Sequence, residues 1–229
     1  MSMLARFADV GRGLNRMEPI HVGDAEDQYE VDHFLVPPHY AKDLSHVILP
    51  RGVIQNRTEK LAMDIREYYG ERELDIVCVL KSSRGFFTEL VGYLGRIHRY
   101  TTGHTTPPYR EHYVSIKSYG KNLEHSGRVS IMSEDLSVLS GRDVLVVDDL
   151  INSGTTLHKF CRRLTEYEPS SLKVACLIEK RTSKFKADFA GFTVPNAFVV
   201  GFCLDYNEAF RDLEHVAVIS DAAVDKYSA

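Results

Sequence analysis

The chain lacks any stretch approaching the roughly 20 apolar residues that a membrane-spanning helix needs. Its longest unbroken apolar runs, such as Val144 to Val147, are strand-sized. It also lacks an excess of positive charge. Against 32 Asp and Glu stand 28 Lys and Arg, a formal net charge of −4, which excludes a sequence-independent grip on nucleic acid by the chain as a whole. Any phosphate binding must be local. Cysteine is scarce, and the four present (Cys78, Cys161, Cys176 and Cys203) lie far apart, with no CxxC pair and no histidines at zinc spacing. They are expected to be buried free thiols in a reducing, cytoplasmic setting. Internal repeats and low-complexity runs are absent too.

What is present is an ordinary globular balance, 44% hydrophobic and 26% charged over 229 residues, which excludes disorder as the overall state. The first residues carry Arg6, Arg12 and Arg16 but also Asp9, without the serine richness of a transit peptide. An acidic stretch follows, DAEDQYEVD at 24–32, and then Pro37 and Pro38. These features place a flexible extension over 1–33 and a single domain over 34–229.

Between residues 57 and 220 the apolar residues switch between two periods, as helices interleaved with buried strands do. Leu61, Ala62, Ile65, Tyr68 and Tyr69 recur at helical spacing, as do Phe86, Phe87, Leu90, Val91, Leu94 and Ile97. Leu157, Phe160, Cys161 and Leu164 give a third helix. Strands are expected at 75–80, 112–117, 143–147, 172–178, 197–202 and 215–219. This alternation predicts an α/β fold with a parallel sheet and a ligand at the carboxyl ends of its strands.

VLVVDDLINSGTTL, residues 144–157, is the most informative segment. A buried strand delivers Asp148 and Asp149, and the small-residue loop Asn152-Ser153-Gly154-Thr155-Thr156 opens the next helix. Free N–H groups and hydroxyls at a helix N-terminus suit a phosphate, and the acids suit ribose hydroxyls or hydrated Mg2+. Alternatively, Ser153 and Thr156 cap the helix and the aspartates are solvated charges. Spacing alone leaves the two readings level. GxxxxGK[ST] is absent and no GxGxxG follows a strand, which excludes the commonest nucleotide loops. Adjacent carboxylates point to opposite sides of a strand, so a nucleophile-plus-acid pair is disfavoured.

The segment resembles the diphosphate-sugar signature of type I phosphoribosyltransferases. LKVACLIEKRT (172–182), PNAFVVGFCLDYNEAFRDLEHVAVIS (195–220), IKSYGKN (116–122) and CVLK (78–81) resemble the hypoxanthine-guanine branch. The likeness runs from about Pro37 to Tyr227 and implies a parallel twisted sheet flanked by helices with a small hood region.

It also implies roles. Ser153, Gly154, Thr155 and Thr156 would hold a 5-phosphate, and Asp148 and Asp149 the ribose, with Asp148 and Asp205 on Mg2+. On the purine side, Phe198 would stack on the base, Lys180 would donate to its 6-oxo group, and Val199 and Asp205 would complete the pocket. Lys81, Ser82 and Arg211 would hold diphosphate, and Ser118 with Tyr119 would sit on a lid. A homodimer or homotetramer is expected, with no nucleic-acid or membrane partner.

The sequence departs from the family pattern in three places. Asn152 stands where the family has an aspartate that takes the proton from the purine ring nitrogen, and an amide cannot be that base. Ser82 and Ser83 stand where the family usually has glycines, and a Cβ there would cost about 1 to 2 kcal/mol and weaken diphosphate binding if the loop needs a positive φ or a close backbone approach. Thr155 stands where a lysine or arginine is common. The expected function is transfer of phosphoribose to hypoxanthine or guanine, giving IMP or GMP, at reduced rate. The alternative is an impaired paralogue that binds purine nucleotide in another role.

Overall fold

A computed structural model describes residues 17–24, 29–101, 109–118, 129–133 and 135–228. The chain runs through β1 (Ile20–His21), β2 (Leu44–Leu49), α1 (Arg51–Tyr69), β3 (Leu74–Leu80), α2 (Arg84–Thr101), β4 (Tyr109–Ser118) and β5 (Val129–Ser133). It continues through β6 (Asp143–Ile151), α3 (Thr155–Thr165), β7 (Ser171–Lys180), β8 (Phe189–Val194), β9 (Val199–Val200), β10 (Val216–Ile219) and α4 (Asp221–Lys226). The main sheet has the order β1-β8-β7-β6-β3-β4-β5. Its first six strands are mutually parallel, and β5 is antiparallel to β4.

The apolar runs of β3, β6 and β7 are continuous because both faces of the sheet are covered. Ile76, Cys78, Leu145, Val147 and Leu177 face α1 and α2, where Ile54, Leu61, Ile65, Phe86, Leu90 and Leu94 close the larger core. The alternate residues Val77, Val144, Val146, Val174 and Cys176 face Leu157, Phe160, Cys161 and Leu164 of α3. Cys78, Cys161 and Cys176 are buried free thiols as expected, while Cys203 is only partly buried.

Three features differ from the sequence-based expectation. The strands expected at 197–202 and 215–219 shrink to β9 and β10, which leave the main sheet and form an antiparallel sheet in the order β2-β10-β9. Its core is separate, built on Tyr40, Leu44, Val47, Phe210, Leu213 and Ala217. β8 escaped notice because Gly191 interrupts its apolar pattern. Any Cβ there would lie 2.5 Å from the Leu177 carbonyl oxygen, so the close approach of β8 to β7 requires glycine.

Described residues ahead of Phe34 also touch the sheets. β1 extends the main sheet beside β8, and Tyr29 bridges Val47. Arg57 donates to the Glu18 carbonyl at 2.7 Å, and Arg181 pairs with Asp24 at 2.8 Å.

β3 leads outward through β4 and β5, and the chain then returns to lay β6 on the other side of β3. This reversal of strand order makes a crevice at the carboxyl ends of β3 and β6. Cys78 pairs with Val147, so Lys81 and Asp148 leave neighbouring strands at that crevice.

Candidate active site at the carboxyl ends of the sheet

The two carboxylates lie near the end of β6, ahead of Leu150 and Ile151, and are held tightly. The Asp149 N–H donates to Asp148 Oδ1 at 3.0 Å, and the Leu150 N–H donates to Asp149 Oδ1 at 2.8 Å. Asp149 is 4% exposed, and its Oδ2 is buried without a hydrogen-bond partner among the described residues. Burial pushes both carboxyls above the usual range, and for Asp148 the adjacent Asp149 charge pushes the same way. The aspartates are therefore not plain solvated strand-end charges.

The loop that follows turns on Gly154, which is the N-cap of α3 at φ +75 and offers no side-chain cap. A Cβ there would sit 2.2 Å from Phe185 Cβ, so glycine is needed for both the turn and the close approach. Ser153 Oγ accepts the Thr155 N–H at 3.3 Å and donates to Thr155 Oγ1 at 3.2 Å. The hydroxyls thus gather at the positive end of α3, an arrangement with the chemistry of an anion site. Asn152 is exposed before this turn. Ile151 pairs with Glu179, so Asn152 and Lys180 leave adjacent strands at the same level.

Lys180 is 4% exposed. Its Nζ donates to the Ala197 carbonyl and lies 3.5 Å from that of Pro195. Burial lowers its pKa to about 8. Next to these carbonyls Phe198 is 51% exposed, an unusual position for a large aromatic, with only an edge contact to Tyr206 at 5.0 Å between centroids. Its backbone is fixed, since the Ile219 N–H donates to the Phe198 carbonyl at 3.1 Å. Val199 is buried in β9.

At the end of β3, Lys81 is exposed and the Leu80–Lys81 peptide bond is cis. Neither Ser82 nor Ser83 is among the residues with positive φ. The strain expected from a Cβ on that ground is therefore absent. Ser83 is instead fully buried, and its hydroxyl donates to the Val79 carbonyl. The glycine that matters comes later, at Gly85, where a Cβ would meet Cys203 Sγ at 3.0 Å.

Asp205 and Arg211 form an ion pair at 2.9 Å, and Arg211 also donates to the Cys203 carbonyl at 2.9 Å. Glu208, which the sequence reading did not single out, accepts from Arg211 Nε at 3.2 Å and Nη2 at 3.1 Å, and lies 3.6 Å from Lys81 Nζ. Nothing in the sequence marked it, because a glutamate in a polar loop is the commonest kind of solvated charge. Ser118 ends β4, and Tyr119 lies outside the described residues.

The phosphoribosyl transferase domain family matches residues 51–207. The hypoxanthine-guanine-xanthine phosphoribosyltransferase of Plasmodium falciparum is 49% identical over 223 residues, covering 96% of each chain. The human hypoxanthine-guanine phosphoribosyltransferase is 39% identical over 218 residues, covering 93% of this chain and 99% of its own. Among solved structures, the Schistosoma mansoni hypoxanthine-guanine phosphoribosyltransferase in complex with IMP superposes with a TM-score of 0.76 at 32% identity, covering 92% of this chain and all of that one. Sequence and fold agree over nearly the whole length, and the chain belongs to the phosphoribosyl transferase domain family, among its hypoxanthine-guanine phosphoribosyltransferases.

Proposed function

We propose that this phosphoribosyltransferase moves the 5-phosphoribosyl group from its 1-diphosphate to hypoxanthine or guanine, releasing diphosphate and forming IMP or GMP at reduced rate. The observation that carries this reading is the buried Lys180 ammonium on the Ala197 carbonyl, one residue before the exposed Phe198, a donor for a 6-oxo group close in the chain to a face for its ring system. The base lies between Phe198 and the Leu150 side, with the Val199 backbone at neighbouring ring positions. Ser153 to Thr156 hold the 5-phosphate at the start of α3. Asp148 and Asp149 take the ribose hydroxyls, and the unpartnered Asp149 Oδ2 is a ready acceptor for one of them. Lys81, Ser82 and Arg211 hold the diphosphate, and Ser118 and Tyr119 belong to the lid that excludes water.

The donor set fits Mg2+. Asp148 and Asp205 offer the hard carboxylate oxygens that this ion selects, and burial first, then the neighbouring Asp149 charge, raises the Asp148 pKa, which a bound cation would counter. When bound, the ion would neutralise charge developing on the departing diphosphate. The residues do the rest by orienting the base, holding the phosphate and shielding the oxocarbenium-like sugar. The same reading carries a homodimer or homotetramer and a cytoplasmic setting.

One step lacks its group. The purine ring nitrogen must lose a proton as the glycosidic bond forms, and Asn152 cannot accept it. Its amide can still donate to the unprotonated ring nitrogen of the product, which favours a second reading, a nucleotide-binding paralogue with little turnover. Steady-state assays with hypoxanthine, guanine and xanthine, beside GMP titration by calorimetry, separate the two. Turnover of about 1 s⁻¹ or more excludes the paralogue; tight nucleotide binding with negligible turnover excludes the enzyme.

Two further results are expected. Phe198→Ala should weaken GMP binding by about 1 to 3 kcal/mol, the usual worth of a stacked base. An unchanged dissociation constant removes Phe198 from the pocket. The second concerns pH. A 6-oxo group favours the charged form of Lys180, so binding raises a pKa that stands at about 8 in the free protein. Below pH 8 the free protein already holds the proton; above it, binding must take one up. Nucleotide affinity should therefore fall as pH rises through about 8, by up to roughly tenfold per unit. Lys180→Met should bind more weakly and abolish this slope. A slope that survives the substitution assigns the proton elsewhere.

A further inference from the structure

Glu208 has no role in the reading above, yet its carboxylate touches both cations assigned to the diphosphate. Arg211 presents its fork to it, Nε to Oε2 at 3.2 Å and Nη2 to Oε1 at 3.1 Å. Lys81 Nζ lies 3.6 Å from Oε1. One anion thus joins the loop after β3 to the segment after β9, which is the geometry by which a diphosphate would join them. Carboxylate and phosphate compete naturally here, because the guanidinium fork matches both in the same bidentate manner.

The backbone supplies a second, independent observation. Tyr206 and Ala209 exchange both backbone hydrogen bonds, at 3.2 and 3.0 Å, around Asn207 and Glu208 at φ 48 and 68. A two-residue turn of this hand favours Asn followed by Gly. Asn207 obeys the preference and Glu208 does not, so a side chain is kept where the turn alone would have none. The Arg211 hydrogen bonds and charge, followed by the Lys81 charge, also hold the Glu208 carboxyl below its usual pKa range.

Resting on the assignment of Lys81 and Arg211 to the diphosphate, we propose that Glu208 is an intramolecular competitor for that anion: its carboxylate holds both cations, and the sugar diphosphate or released diphosphate must displace it to bind. Glu208 thereby lowers affinity on the diphosphate side while leaving the purine side alone, and it assists departure of diphosphate after transfer. A positioning role, in which Glu208 aims Arg211 at the ligand, makes the opposite prediction for its removal.

The test is calorimetric titration of inorganic diphosphate, in excess Mg2+, into the full chain and its variants, with GMP as the control ligand. Glu208→Gln should tighten diphosphate by up to roughly fivefold, the range set by losing an exposed ion pair of good geometry. The KM for phosphoribosyl diphosphate should fall by a similar factor, GMP affinity should stay constant, and the difference should shrink at high salt. Glu208→Gly, which suits the positive φ, must show the same tightening, and it decides the matter where the glutamine variant melts early. Unchanged or weaker diphosphate binding in a variant that melts like the parent overturns the proposal. Arg211→Ala separates the two layers of the argument. If it leaves diphosphate affinity intact, the diphosphate assignment itself fails; if it weakens binding while Glu208→Gln tightens nothing, only the competitor fails.

Discussion

Asn152→Asp should raise kcat for phosphoribosyl transfer, and the ceiling on the gain is the roughly 10² to 10⁴ that general acid-base catalysis contributes. The argument rests on one atom exchange. Asn152 is exposed just past β6, next to Ile151, which pairs with Glu179 beside Lys180, so the proposed purine assignment of Lys180 puts the Asn152 side chain near the base. A carboxylate at this place could take the ring proton as the glycosidic bond forms, whereas an amide offers only a hydrogen bond. The gain should appear in kcat more than in KM, because proton transfer is stabilised in the transition state and not in the bound ground state.

Recovery should stay below the ceiling while Thr155 occupies a position where relatives commonly carry a cation. At Ser82 and Ser83 a positive φ is not the reason to expect a shortfall, since neither residue has one; a close backbone approach by the diphosphate remains the reason. Asn152 precedes a serine in an exposed loop, where spontaneous deamidation would itself create the aspartate. Intact mass must therefore be checked before residual activity is credited to the amide. An unchanged kcat in a verified sample would assign the base to another group.

How much of this was legible in the sequence depends on whether burial was two-sided. β3, β6 and β7 are covered on both faces, so each appears as an unbroken apolar run, and the helices that cover them carry matching stripes. The doubled aspartate and the small-residue loop stood out for the same reason, as an abrupt polar end to a buried strand. β2 and β10 have a different logic. β2 follows neither pattern, with Ser45 and His46 side by side ahead of the buried Val47, Ile48 and Leu49, and its register with β10 shifts twice. No local period announces such a pair, and only the chain's return from residue 49 to residue 216 brings it together. β1 is two residues long and owes its place to the edge of β8.

The residues proposed for the site could be named from the sequence, but their state could not. Lys180 could be named from the sequence, but the pKa of about 8 follows from burial that only the fold creates. Ser82 and Ser83 could be flagged as missing glycines, but their φ values could not be read, and the inferred strain proved absent. Glu208 shows the limit most clearly. Arg211 lies three residues along the chain, but the other cation, Lys81, lies far back in the loop after β3, and no local pattern joins it to Glu208.

Gly154→Ala should be the most damaging single-methyl change in the loop, affecting stability and phosphate binding together. Two costs add. At φ +75 an alanine pays about 1 to 2 kcal/mol relative to glycine. The new Cβ would also stand 2.2 Å from Phe185 Cβ and 3.2 Å from both Phe185 Cγ and Ser183 Oγ. The close contact is with a Cβ and not with the far end of a flexible chain, so relief requires movement of the 183–185 backbone or of the N-terminus of α3. Overpacking of this kind costs about 1 to 3 kcal/mol, and the sum of roughly 2 to 5 kcal/mol is a large share of an ordinary domain's stability of about 5 to 15. If α3 is what yields, its first N–H groups no longer converge on one phosphate, and GMP affinity should fall by about 10²-fold or more, since 1.4 kcal/mol is a factor of ten. Denaturant unfolding and GMP titration on the same sample distinguish the paths. A variant that keeps its midpoint but loses GMP moved the helix end. One that loses its midpoint but keeps GMP under folding conditions moved the 183–185 backbone and left the loop from Ser153 to Thr156 in place.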